Sequence, residues 1–368
     1  MTSTAPPVGI LLFNLGGPDD QASVEPFLFS LFSDRDIIEL PLGAITQPVF
    51  AWMIAKLRGP SVRRNYALIG GGSPQLRITR EQAAAIEARL NGPANSGPRG
   101  GGEAAAPQNA SAGPARQSAP GAAVGLGRRF KVFIAMRYWN PTTEQALTAM
   151  AEAGVRRVVT LTLFPHWTKA TTGSSQKELE RTMALPKWRG HGFTVTGVDR
   201  YADDPLYLDA MADTARRAYE SFSPEARKRL VILFSAHGLP QKFIDAGDPY
   251  VGQIEATRRG ILDRLQVPNR QILGYQSRTG PVKWIGPGTD QRIEELGREG
   301  VKEILIVPLS FVGDHIETLY EVDILFADMA RKAGIVEFRR PDALNTSPLF
   351  IEALARLVER HLEEGDGA

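Results

Sequence analysis

The chain of 368 residues contains no cysteine. That excludes disulfides, thiolate zinc sites, cysteine nucleophiles and cysteine-bound iron–sulfur clusters together. It does not choose a compartment, since a cytosolic protein needs no cysteine. Charge of one sign is equally scarce. The 43 basic and 41 acidic residues leave a formal charge of +2, so composition offers no electrostatic case for a nucleic-acid partner. No run approaches the ~20 apolar residues of a membrane-spanning helix. The start, Met1-Thr-Ser-Thr-Ala-Pro-Pro7, lacks the basic and apolar regions of a secretory signal. A cytoplasmic chain is expected. Also missing is a strand followed by Gly-x-Gly-x-x-Gly, which argues against a dinucleotide oxidoreductase. What is there is apolar content, 43%, ample for two domains with buried cores.

The first strand is read at Gly9 to Phe13, ending in the turn Asn14-Leu-Gly-Gly-Pro18. Residues 24–52 are unusually apolar, with Phe27, Leu28, Phe29, Leu31 and Phe32 at their start. Most should be core, but as a group they could form an exposed lip against a membrane or a hydrophobic ligand. Ile69-Gly-Gly-Gly-Ser-Pro74 is a turn that lets backbone approach a ligand. Thr79 with Gln82 reads as a capping box opening a helix that stops at Asn91-Gly92. Residues 92–127 are nearly all Gly, Ala, Pro, Ser and Asn. They bury too little apolar area to offset their ordering entropy and read as a disordered insertion dispensable for chemistry. A strand resumes at Phe130 to Met136.

An internal repeat follows. Gln145, Leu147, Met150, Gly154, Val155, Val158 and Val159 match Gln291, Ile293, Leu296, Gly300, Val301, Ile304 and Leu305 at one constant offset. The first strand has its own echo, since Ile10, Leu11, Gly16 and Pro18 correspond to Ile232, Leu233, Gly238 and Pro240. This predicts two parallel-sheet domains of similar topology with a cleft between them.

Two stretches carry chemistry. Leu230 to His237 is a buried strand ending in an imidazole. Such a histidine is either hydrogen-bonded packing or, with an ordinary pKa of about 6.5, the natural proton acceptor near neutrality. The apolar run Ile304 to Leu309 is a second buried strand, expected to open into a helix bearing Asp314, Glu317 and Glu321 on one face. His315 sits about a quarter-turn away. Asp314 and Glu321 would lie roughly 10 Å apart along the axis, too far for one metal ion but suited to a row of weak oxygen sites. An acidic first turn is usually just solvated. The position of this one, at the carboxyl end of a parallel strand, is where open α/β sheets bind ligands. The last helix is capped by Ser347 with Pro348 at its first position.

With these motifs in order, the chain resembles the ferrochelatases, which insert ferrous iron into a porphyrin. The resemblance covers nearly everything outside 92–127. It rests on Asn14 to Pro18, Ile69 to Pro74, Arg137-Tyr138, Thr171-Thr-Gly-Ser-Ser175, Ser235-Ala-His-Gly-Leu-Pro240, Tyr275-Gln-Ser277 with Trp284, and Asp314 to Glu321. It implies an α/β fold of two similar Rossmann-like domains with parallel four-stranded sheets flanked by helices. Residues 1–178 would form the first, 179–345 the second, and 346–368 a helix packing on the body.

The resemblance also implies roles. His237 and Glu317 would be catalytic, and both, with Asp314 and Glu321, would meet the metal. Arg137, Tyr138, Ser73, Tyr66, Leu15, Trp284, Phe311 and His315 would line the porphyrin site. Protoporphyrin IX and Fe2+ would be the partners, with iron as substrate, no tightly bound cofactor and no iron–sulfur cluster. Residues 24–52 would be the apolar lip, allowing peripheral contact with the inner membrane, and a monomer is expected rather than a homodimer. Asp314-His-Ile-Glu-Thr-Leu-Tyr320 looks like the protoporphyrin branch. A coproporphyrin III or other tetrapyrrole chelatase is the alternative, and a porphyrin carrier without chemistry the rival outside enzymes. Phe164-Pro-His-Trp167 departs from the usual Tyr-Pro-Gln-Tyr, and His166 is read as a surface variant rather than a further weak ligand.

Overall fold

Two four-stranded parallel sheets of the same strand order form the frame of the computed structural model, which describes residues 5–38, 43–92, 128–280 and 282–366. In the first half the order is β1 (Val8–Asn14), α1 (Val24–Phe32), α2 (Gly43–Ala67), α3 (Gln75–Asn91), β2 (Phe130–Met136), α4 (Thr143–Glu152), β3 (Arg157–Thr162), a π-helical turn (Lys169–Gly173), α5 (Ser174–Met183) and β4 (Thr194–Val198). Helices α6 (Pro205–Glu220) and α7 (Pro224–Arg229) lead into the second half. There β5 (Val231–His237), α8 (Gln241–Asp245), α9 (Tyr250–Leu265), β6 (Gln271–Gln276), α10 (Thr289–Arg298) and β7 (Glu303–Pro308) are followed by α11 (Ile316–Leu319), a π-helix (Glu321–Phe326), α12 (Ala327–Lys332) and β8 (Glu337–Arg339). Helix α13 (Pro348–Asp366) comes last.

The strand orders are β2-β1-β3-β4 and β6-β5-β7-β8, so β1 and β5 hold the same place in their sheets. The repeat read from the sequence is structural: α4 and α10, and likewise β3 and β7, begin and end at the same offset. Gln145 and Gln291 both reach back to the backbone N–H of the residue that caps their helix. Gly154 and Gly300, which follow these helices, both take positive φ (72° and 83°), a left-handed stop that glycine adopts without steric cost.

Both faces of the central strands are covered, which is why β1, β5 and β7 read as continuous apolar runs. Leu11 and Phe13 point to one side of β1, against Leu147 and Met150 of α4. Ile10 and Leu12 point to the other, into a core shared with Ile232 and Phe234 of β5, Tyr207 and Met211 of α6, and Phe350 and Leu354 of α13. This common core joins the halves. Burying one such side chain is worth about 1.5–3 kcal/mol.

Two expectations change. Strand β4 pairs with β3 from Thr194 to Val198, so the first sheet is complete only after Val198, beyond the division placed at 178/179. Helix α3 starts at Gln75, one turn before the expected capping box. Thr79 lies inside it, donating its hydroxyl to Gln75 O (2.8 Å) and accepting from Asn14 Nδ2 (3.0 Å). The insertion lies outside the described residues from 93 to 127. Its flanks meet directly, because the Asn91 side chain donates to Phe130 O (3.0 Å) and accepts from Phe130 N (2.9 Å). Residues 39–42 of the apolar segment also lie outside the described residues.

Candidate active site

The carboxyl ends of β1, β2, β5, β6 and β7 supply the polar groups gathered between the halves, as open parallel sheets favour. His237 is the last residue of β5. Its Nδ1 is bonded to Gly238 O (2.5 Å), so Nδ1 carries the hydrogen and Nε2 faces outward. Nε2 lies 3.4 Å from Oε1 of Glu317, in the first turn of α11. The other oxygen of Glu317 lies 3.3 Å from Nε2 of His315. The carboxylate is thus set between two imidazoles. Phe311 packs edge-on against both rings, with centroids 6.3 Å from His237 and 4.5 Å from His315.

Burial alone would lower the pKa of His237. The Glu317 carboxylate, with Glu321 behind it, outweighs burial and pushes it up to about 9. Burial would raise Glu317, but His237 and then His315 hold it well below the usual carboxylate range. Glu321 is raised instead, first by burial and then by the Glu317 charge. Its carboxylate accepts from Ser277 N (2.8 Å), Ser277 Oγ (2.5 Å) and Gln276 Nε2 (3.0 Å). Ser277 reaches it with both donors by adopting a φ of 62°, rare for a residue with a side chain.

The expected single helical face is not formed. Asp314 precedes the helix: its N–H goes to Asn345 Oδ1 (2.9 Å), and its carboxylate is taken by Arg340, Thr318 and Asn345, each at 3.0 Å. His315 is extended, so α11 begins only at Ile316, and Glu321 opens a π-helix rather than continuing α11. A carboxylate this well paired with a guanidinium is not a free ligand. Among the described residues, no three or more His, Asp or Glu side chains are grouped to hold a metal ion. His237 and Glu317 are in contact; Asp314 stands apart from them.

The opposite wall comes from the first half. Leu15, Tyr66 and Tyr138 share an apolar cluster with Ile316, the neighbour of Glu317. Tyr66 is buried, and burial followed by the Glu317 charge raises its pKa. Ser73 donates its N–H to Pro18 O (2.7 Å) and sits so close to Gly17 that a Cβ there would fall 2.6 Å from its own. Trp284 donates Nε1 to Thr279 O (3.0 Å), and its ring lies 3.4 Å from where a Cβ on Gly238 would project.

Arg137 and Tyr138 are placed differently from the expectation that they face a ligand. Tyr138 is 2% exposed, its hydroxyl donating to Asp34 Oδ2 (2.6 Å). Arg137 and Ser174 donate to the same oxygen at 2.8 and 2.6 Å. A buried carboxylate needs such donors, and Asp34 draws both residues inward. His166 is not on the surface. It is 2% exposed, with Nε2 2.9 Å from Thr257 Oγ1, and burial lowers its pKa to about 3, so it is neutral.

Sequence reasoning missed Asp34, Arg58, Tyr250 and Ser310. Arg58 lies on α2 with its guanidinium over the Phe32 ring (5.7 Å), half-buried and without an acidic partner among the described residues. Nothing in the local sequence set it apart, since Lys56, Arg63 and Arg64 stand nearby. The same helix turns Ala51, Ala55 and Gly59 inward and leaves Val49, Trp52, Met53 and Leu57 exposed on its outer side. Among the described residues no helix is long and apolar enough to cross a membrane.

A family model described as ferrochelatase matches residues 7–98 and 116–362. A protein named ferrochelatase from Geotalea daltonii is 44% identical over 356 residues, covering 97% of this chain and 98% of its own length. Another of that name, from Rippkaea orientalis, is 42% identical over 359 residues, covering 97% of this chain and 83% of its own. Among solved structures, SirB from Bacillus subtilis with Fe3+ matches with a TM-score of 0.51 at 12% identity, covering 98% of both chains, a likeness of fold alone.

Proposed function

The chain belongs to the ferrochelatase family, and from there we propose how its own side chains share the work of inserting Fe2+ into protoporphyrin IX. Each insertion forms the metal–nitrogen bonds of haem and releases two pyrrole protons. The observation that carries the reading is the 3.4 Å contact between His237 and Glu317 at the strand ends. An imidazole and a carboxylate can take protons and lend exchangeable ligands to a ferrous ion, and neither grips it as a thiolate would.

The electrostatics give an order of events. In the resting pair His237 holds a proton because Glu317 is charged beside it. Fe2+ approaching Glu317 offsets that charge and removes the reason for the raised pKa, so the resting Nε2 proton passes to solvent and Nε2 is then open to take a pyrrole proton. Glu321, fixed by Ser277 and Gln276, supplies a second carboxylate from which a proton can leave. Asp314 serves by holding the turn before α11 through Arg340 and Asn345. Leu15, Tyr66, Trp284 and Phe311 offer apolar and aromatic surface to the flat macrocycle. We assign its propionates to Ser73 and to Arg58, which has no acidic partner among the described residues.

The exposed stripe Val49, Trp52, Met53 and Leu57 supports a lip through which an apolar ring enters and which rests on a membrane surface. The test of the whole reading is an anaerobic insertion assay with Fe2+, comparing protoporphyrin IX with coproporphyrin III. Faster turnover of protoporphyrin IX is expected. Binding of porphyrin without insertion would favour a carrier and end the enzymatic reading.

A further inference from the structure

We propose that Tyr250 and Ser310 are positioning residues for His237, closing a ring of hydrogen bonds on its main chain. The backbone ladder between β5 and β7 reaches Ser235 and Pro308, and its last rung is Leu309 N to Ser235 O (2.8 Å). His237, two residues on, turns its N–H and C=O to the same side as Ser235, beyond the point where β7 can answer them. Side chains answer instead. His237 N donates to Ser310 Oγ (3.0 Å), Tyr250 Oη donates to His237 O (3.0 Å), and the two hydroxyls lie 2.6 Å apart.

Only one arrangement of hydrogens satisfies all three contacts. The carbonyl can only accept, so the Tyr250 hydrogen goes to it. The amide can only donate, so Ser310 accepts there and gives its own hydrogen to Tyr250. The result is a one-way circuit, N–H to Oγ–H to Oη–H to O=C, that begins and ends on His237. Unidirectional chains of this kind strengthen one another in a low-dielectric setting.

The circuit is held from behind. The Tyr250 ring is met edge-on by His166 (5.8 Å, 81°). His166 bonds through Nε2 to Thr257 Oγ1, which itself donates to Ala202 O (2.6 Å), so Nε2 carries the hydrogen of the neutral ring. Ser310 precedes Phe311, whose ring packs on His237 and His315. The clamp therefore sets the height of the His237 imidazole above the sheet and its distance to Glu317, where small displacements of a reacting group are costly.

This inference rests on His237 being the proton acceptor. The experiment compares Tyr250→Phe, Ser310→Ala, the double variant and Ser310→Thr in the full chain, measuring kcat and porphyrin KM. Each single variant should lower kcat about tenfold, as expected for one lost hydrogen bond amplified by misplacement, with KM unchanged. The double variant should be no slower than the slower single one, because either change opens the same circuit. Ser310→Thr, which keeps the hydroxyl, should restore most of the rate. Singles within about twofold of the parent, or losses that multiply in the double variant, would overturn the clamp. His237→Ala separates the two readings: if it keeps its rate, the acceptor role and the clamp both fail, whereas a dead His237→Ala beside a fully active Tyr250→Phe sinks the clamp alone.

Discussion

Nε2 of His237 and Oε1 of Glu317 meet at 3.4 Å, joining the last residue of β5 to the first turn of α11. The pair shares one proton at neutrality, placed on the imidazole. His315 on the far side of the carboxylate and Glu321 beyond it complete the set of ionisable neighbours. Two charged groups at the rim of a cleft hold each other only until something with a stronger claim on either arrives.

The pair makes stability depend on pH in a defined direction. His237 is raised from its ordinary 6.5 to about 9, so its contribution is whole below about 6.5 and disappears as pH climbs through about 9. Glu317 is depressed, so its contribution is present above the ordinary carboxylate range and is lost in acid. The urea midpoint of the parent should exceed that of Glu317→Gln at about pH 6, and the gap should close by about pH 10. A gap that widens with alkali would contradict the assignment.

For turnover, His237→Ala and Glu317→Gln should each lower kcat by about 10²-fold or more, the usual worth of a positioned acid or base. Porphyrin binding, followed by fluorescence quenching, should change little. Loss of binding in step with rate would mean that these residues hold the ring rather than move protons.

Asp34 is the least expendable carboxylate of the first half. Its Oδ2 receives Arg137, Tyr138 and Ser174, with 4% of the side chain exposed. Asp34→Ala strands a guanidinium and two hydroxyls, and should cost about 3–5 kcal/mol in urea unfolding. Arg137→Ala should cost less than Asp34→Ala, because Tyr138 and Ser174 still satisfy the carboxylate. The reverse ranking would contradict the account of Asp34 as the hub of these contacts.

Replacing residues 93–127 by a short Gly/Ser linker should leave kcat and Tm nearly unchanged. Asn91 and Phe130 already bond to each other across the junction, and the matched family regions leave 99–115 uncovered. A large fall in rate would assign that segment a task in the reaction.

The parts of the fold that the sequence disclosed are those where one physical constraint acts alone. Strands covered on both faces must be apolar throughout, so β1, β5 and β7 could be read within a residue or two. The α4–β3 and α10–β7 units betrayed themselves by repetition. The helix expected from Asp314 onward failed for a tertiary reason. Asn345 and Arg340, about 30 residues away in sequence, capture Asp314 and delay the helix to Ile316. Asp34, Tyr250 and Ser310 were invisible for the same cause, since nothing nearby in the chain marks a carboxylate or hydroxyl whose partners come from other elements. His166 was misplaced because a histidine that is buried and neutral has the same letter as one that is exposed.

The twin sheets have one further consequence. Under the offset that aligns β1 with β5, Leu15 takes the place of His237. Duplicate scaffolds thus hold out a hydrocarbon on one bank and an imidazole on the other. On the proposed reading, a single backbone plan used twice separates the gripping of a greasy disc from the handling of its protons, and that division of labour turns on one side chain.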